Sequence, residues 1–135
     1  MRAMLWPDAS VEEHRKELDA WMANAGSLPS TIFACEGDDD PAALAGFIEV
    51  GLRSHADGCD PARPVGFVEG WFVEERYRRR GVGTKLMRAA EEWARARGCR
   101  QMASDALIDN VTSHRAHEAA GFEVVDQCVH FRKAL

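Results

Sequence analysis

No apolar run in this 135-residue chain comes near the roughly 20 residues that a membrane-spanning helix needs; stretches such as PAALAGFIEV fall well short. No signal-peptide pattern opens it either, so the expected location is the cytoplasm, with no membrane partner. The four cysteines, Cys35, Cys59, Cys99 and Cys128, include no CxxC pair. Neither a zinc site nor a disulfide framework is indicated, and free thiols, buried or half-buried, are expected with no metal. An excess of basic residues is also missing: 17 Lys and Arg stand against 22 Asp and Glu, a formal net charge of −5. That balance disfavours nucleic acid as the partner and suits a cationic small molecule better. There is no internal repeat, no low-complexity tract and no linker, and the length leaves room for one domain, 1–135.

The composition, 46% hydrophobic and 29% charged, is that of a folded globular protein with a core. SVEEHRKELDAWMANAG reads as a helix, with Ser10 as cap, Glu13 three residues on, and Asn24 to Gly26 as its stop. STIFACE and ALAGFIEVGLR are strand-like and joined by the acidic turn GDDDP, which predicts a hairpin. VGFVEGWFV is a third strand whose Gly70 suggests a bulge or a close backbone approach. A helix is predicted over 81–97, with Val82, Leu86, Ala90, Trp93 and Ala94 on one face and Gly98 at its end. CRQMAS is a short strand, Asp109 or Asn110 caps a helix running to about Ala120, and FEVVDQCVHF is read as a closing strand. The predicted order, α-β-β-β-α-β-α-β, makes an α+β protein: a mixed sheet flanked by helices.

The stretch RRRGVGTKL, residues 78–86, sets three arginines against a Gly-x-Gly step that opens the second long helix. A helix start exposes unpaired N–H groups at the positive end of its dipole, which attracts phosphate, and glycine lets the ligand come close. The spacing fits neither a Walker loop nor a dinucleotide fingerprint, which needs a third glycine where Leu86 stands. From Gly-x-Gly alone, a phosphate cradle and a solvated basic turn are equally good readings.

In context, VEGWFVEERYRRRGVGTKLMRAAEEWA resembles the GNAT superfamily of N-acetyltransferases, whose hallmark is [RQ]-x-x-G-x-[GA] after a bulged strand; Arg78, Gly81 and Gly83 fit it. The resemblance implies that Arg78, Arg79, Arg80, Gly81, Val82, Gly83 and Thr84 wrap the phosphates of acetyl-CoA. It also implies that Trp71, Phe72 and Val73 pair with its pantetheine arm, and that Asn110 both caps a helix and meets the coenzyme. The segments LWPDASVEEH, RPVGFVEGWFV and ASDALIDNVTSHRAHEAAGFEVVD are similar to aminoglycoside 6'-N-acetyltransferases, a family commonly dimeric, so a homodimer is expected. Such enzymes carry a strand ahead of the LWPD segment, and that first strand is expected to be missing here.

Acetyl transfer to an amine needs a deprotonated amine, a polarised thioester carbonyl and a stabilised leaving thiolate. By resemblance, Glu69 and Asp105 are the catalytic and substrate-binding acids, with Asp126 a third acid, Trp6 an aromatic lining the aminoglycoside site and His55 near a tyrosine of the substrate loop. Surface charge is the plain alternative for the acids, and ordinary packing for Trp6. His117 stands four residues before the GF pair, where many of these enzymes carry a tyrosine that protonates the departing thiolate; an imidazole can donate too, and a helix histidine on a polar face is the other reading. The function so implied is acetylation of an aminoglycoside amine by acetyl-CoA. The rivals are the same chemistry on another small amine, or a non-catalytic acyl-CoA-binding module.

Overall fold

The computed structural model describes residues 1–23 and 28–135. The expected helix stop, Asn24 to Gly26, lies outside the described residues. A four-residue helix α1 (Arg2–Leu5) leads into α2 (Val11–Ala23). The capping box at the start of α2 is reciprocal: the Glu13 amide donates to Ser10 Oγ at 3.2 Å, and the Ser10 amide donates to Glu13 Oε2 at 2.7 Å. Two otherwise orphaned donors are thereby satisfied.

Strands β1 (Ser30–Glu36) and β2 (Leu44–Arg53) form the expected antiparallel hairpin. Its acidic turn is closed by the Gly37 amide donating to the Ala43 carbonyl at 2.8 Å and by the Asp40 side chain accepting from the Ala42 amide at 3.0 Å. Strand β3 (Val65–Val73) pairs antiparallel with β2, and its register slips once. Glu49 faces Gly70 while Val50 faces Val68, so Glu69 is the extra residue of a bulge. The expected break at Gly70 is there, and its reason is a close approach: the Trp6 indole lies directly over Gly70, where a Cβ would stand.

Helix α3 (Val82–Arg95) crosses over to β4 (Met102–Ser104), which runs parallel to β3, giving a four-stranded mixed sheet in the order β1-β2-β3-β4. The stripe Leu86, Met87 and Ala90 packs against Ile48, Val50 and Val68 as the main core. A smaller cluster of Ala56, Val65 and Phe67 forms a second core. Helix α4 (Val111–Ala119) is capped by Asn110, whose Oδ1 accepts from the Ser113 amide at 3.1 Å.

The closing strand does not form. Residues 122–135 belong to no strand, and Val124, Val129 and Phe131 are exposed, Phe131 at 92%. Alternating apolar residues make a strand only where a ladder exists to receive them. Here the tail reaches no sheet edge, and Val125 instead lies on Gly58 in the loop after β2. Cys128 is consequently exposed, against the expectation of a half-buried thiol; Cys35 and Cys59 are half-buried and Cys99 buried. No strand precedes β1 among the described residues.

Candidate functional site

The turn into α3 is built by two left-handed residues, Arg79 (φ 62°) and Gly81 (φ 80°), after a 3-10 turn at Glu75–Tyr77. No side chain caps the helix, and among the described residues nothing accepts a hydrogen bond from the amides of Val82, Gly83 or Thr84. The three donors share the positive end of the helix dipole. A side chain at Gly81 would project into open space, whereas one at Gly83 would come within 3.2 Å of the Trp71 ring. Gly81 thus leaves the approach to the amides clear, and Gly83 lets the helix sit close on β3.

Of the arginines, Arg78 is committed locally: its Nε donates to the Val73 carbonyl at 3.0 Å and closes the turn. Arg80 is held by Asp38 at 3.2 Å. The buried Tyr77 donates its hydroxyl to Asp39 in a short hydrogen bond, which holds the Asp39 carboxyl below and the Tyr77 phenol above their ordinary pKa ranges. Arg76 lies over the same ring, 4.7 Å from its centre. The hairpin turn is therefore a brace for the arginine turn.

Beyond the last parallel pair, Val68 with Ser104, β3 and β4 part. From the bulge to Val73, β3 keeps its β2 partner, while among the described residues no strand lies across its other edge. Trp71, Phe72 and Val73 lie on this stretch; the Val73 carbonyl is taken by Arg78, and the main-chain groups turned away from β2 are placed to receive an extended ligand arm as an added strand. Asp105 is the residue just past the fork on β4, and Glu69 its counterpart on β3, so the two predicted acids are brought to one place, both exposed.

Glu69 is not free there. Arg53 donates to its carboxylate through Nε and Nη2 at 2.8 to 3.1 Å, with the Arg53 guanidinium lying 3.3 Å above the Phe67 ring centre. On the same side of the fork Glu49 is paired with Arg2 at 2.7 Å. Burial pushes the Glu49 carboxyl up, with Arg2 opposing. Trp6 closes this region, carrying Arg2 over its ring at 4.9 Å and His14 beside it. His55 is exposed near Asp57, and Asp126 lies on the tail, its carboxylate accepting from the Gln127 amide at 2.7 Å. Neither is fixed by a contact to the fork. Val125 on Gly58 nonetheless brings their two segments together.

His117 is caged. Its ring packs edge-on against Trp71 and Phe122, at 5.6 and 5.3 Å between centres. Nδ1 lies 2.8 Å from the Ser113 carbonyl, and Nε2 lies 2.9 Å from Ser104 Oγ. Ser104 Oγ is also 3.3 Å from the Val68 carbonyl at the fork.

The description "Acetyltransferase (GNAT) family" belongs to a family model that matches residues 1–122. This chain is a member of that family. An aminoglycoside N(6')-acetyltransferase type 1 from Klebsiella aerogenes is 42% identical over 135 residues, covering 100% of this chain and 87% of that protein. One from Serratia marcescens is 40% identical, with 100% and 89% covered. Among solved structures, AAC(6')-Iy in complex with the bisubstrate analog CoA-S-monomethyl-acetylneamine superposes with a TM-score of 0.81 at 34% identity, covering 100% of this chain and 88% of that one. AAC(6')-Ih from Acinetobacter baumannii gives 0.84 at 32%, with 99% and 87% covered.

In this acetyltransferase the predicted cradle lies beside Trp71 and Val73, the predicted strand edge runs back from there, and the predicted acid pair stands at the fork. Three residues that sequence reasoning passed over stand there as well: Ser104, Glu49 and Arg53. None of the three carried a local signal, since Ser104 reads in MASD as an ordinary serine before an acid.

Proposed function

We propose that this acetyltransferase moves the acetyl group of acetyl-CoA to the 6'-amine of an aminoglycoside. The observation that carries the reading is the order of groups along β3: the start of α3 lies beside Trp71 and Val73, and the strand runs from there to the fork. Unpaired amides of Val82, Gly83 and Thr84 open onto a strand edge that ends at Glu69 and Asp105. An anionic, elongated donor suits the first part, and a polycationic acceptor the second. The names of the relatives, all at 34% identity or more, point to the same acceptor.

In this reading the α3 amides hold the pyrophosphate, with Arg79 and Arg80 at its flank and Asn110 at the far wall. The edge from Trp71 to Val73 receives the pantetheine arm, and a main-chain N–H there faces the thioester oxygen. Asp105 and Glu69 hold ammonium groups and accept the proton of the reacting amine, with Trp6 beneath the sugar ring and His55 and Asp126 at the rim. Glu69 must release Arg53 to do so, which favours acceptors with several positive charges. We place the enzyme in the cytoplasm with its coenzyme, as a homodimer in which the tail from Phe122 onward finds its ladder.

Thiol release from acetyl-CoA in the presence of aminoglycosides tests the proposal. Asp105→Asn and Glu69→Gln are each expected to lower kcat/KM for the aminoglycoside at least about tenfold, or ~1.4 kcal/mol. Acetyl-CoA affinity, measured by titration calorimetry, should change little. Wild-type turnover in both variants would move the amine site elsewhere, and acetylation of simpler amines alone would favour the same chemistry on a different acceptor.

A further inference from the structure

His117 occupies the place where the sequence led us to expect the acid for the leaving thiolate, and both of its nitrogens already have partners within the protein. The Ser113 carbonyl, 2.8 Å from Nδ1, can only accept, so Nδ1 carries a hydrogen in either charge state. The Ser113 hydroxyl, 3.3 Å from Nδ1, is the poorer partner. Nε2 is met by Ser104 Oγ at 2.9 Å, and the rings of Trp71 and Phe122 close the sides.

Ser104 stands between this histidine and the fork. It is the last residue of β4 and is paired in register with Val68, just before β3 and β4 separate. Its hydroxyl has one hydrogen and two possible acceptors. When the imidazole is neutral, that hydrogen goes to Nε2. When the imidazole is protonated, Nε2–H donates to Oγ and the hydroxyl hydrogen turns outward. There, among the described residues, it meets only the Val68 carbonyl at 3.3 Å, longer than the usual ~2.7–2.8 Å of an O–H···O bond. A better acceptor reaching the fork would take it.

We propose that Ser104 Oγ, and not the His117 ring, delivers the proton to the departing thiolate, with His117 as the reservoir behind it. This rests on the acetyl-transfer reading above. As the new C–N bond forms, the thioester C–S bond breaks and leaves its electron pair on sulfur. The Ser104 hydroxyl hydrogen passes to that sulfur and the Nε2 hydrogen of the imidazolium passes to Oγ. The imidazole is left neutral with its Nδ1 hydrogen still on the Ser113 carbonyl. The proton given up by the amine leaves through the acids or water, and solvent recharges His117. Ser104 is thus a catalytic residue and His117 a positioning and supplying one.

The test uses the whole chain and four variants: Ser104→Ala, Ser104→Thr, His117→Gln and the Ala/Gln double. Ser104→Ala is expected to lower kcat about tenfold or more while leaving KM for the aminoglycoside and calorimetric acetyl-CoA affinity unchanged. Ser104→Thr, which keeps the hydroxyl, should restore most of the rate. The double variant should be no slower than the slower single one, because the two residues form one relay. Nitrogen-15 spectra of the free protein should show the His117 Nε2 resonance moving in Ser104→Ala and returning in Ser104→Thr. Full kcat in Ser104→Ala, multiplicative losses in the double variant, or an Nε2 resonance indifferent to Ser104 would each overturn the relay. A wild-type protein that releases no thiol with any amine would overturn both readings together.

Discussion

Gly81 and Gly83 look interchangeable in RRRGVGTKL, and their surroundings are opposite. Gly81 sits at φ 80° with nothing near a would-be Cβ, while Gly83 faces the Trp71 ring at 3.2 Å. Gly81→Val is therefore expected to strain the turn and cover the α3 amides, weakening acetyl-CoA binding at least about tenfold by calorimetry, with circular dichroism unchanged. Gly83→Asp should lose stability as well as affinity, and a thermal melt alongside the titration separates the two. The arginine motif and the Asn110 cap were legible because each depends on residues a few places away. Ser104, Glu49 and Arg53 were not. What qualifies them lies far along the chain: His117 for Ser104, Arg2 for Glu49 and Glu69 for Arg53. A serine before an acid, or an arginine at a strand end, looks the same with or without such a neighbour.

Elements were legible where their signals are local. The capping box of α2 follows from Ser10 and Glu13 alone, and removing it should cost about 1 kcal/mol in Ser10→Ala, a few degrees in melting temperature. The bond from the Ser10 amide holds the Glu13 carboxyl below its ordinary 4.5. A lowered folded-state pKa contributes stability above the unfolded value and loses it as pH falls through the folded one. The melting gap between the wild type and Glu13→Ala should hold above pH 4.5 and narrow as pH falls further below it; a gap independent of pH would show that the carboxylate charge plays no part. FEVVDQCVHF marks the limit of local signals. Its alternation is real, but pairing is decided by whether an edge is within reach, and β4, three residues long, gives the tail none in its own chain.

At the scale of the molecule that tail leaves Val124, Val125, Val129 and Phe131 all open to solvent. A second copy is the partner we expect to cover it. Light scattering at micromolar concentration should give a mass of about twice 15.0 kDa, and Phe131→Asp with Val129→Asp should reduce it to that of one chain; an unaltered dimer in that variant would place the interface elsewhere. The mixed sheet and its parallel crossover were readable from the order of elements, whereas the brace between the hairpin turn and the arginine turn was not, since Asp39 and Tyr77 lie 38 residues apart. The brace ties the arginine turn to the hairpin turn that follows β1, an edge strand of the sheet. Edge strands fray at lower free energy than the strands they flank. With the arginine turn as the proposed phosphate site, the ability to hold the coenzyme is expected to melt with the rim of the protein, ahead of the Ile48 core, so that gentle warming silences the enzyme while most of its amide protons are still guarded from exchange.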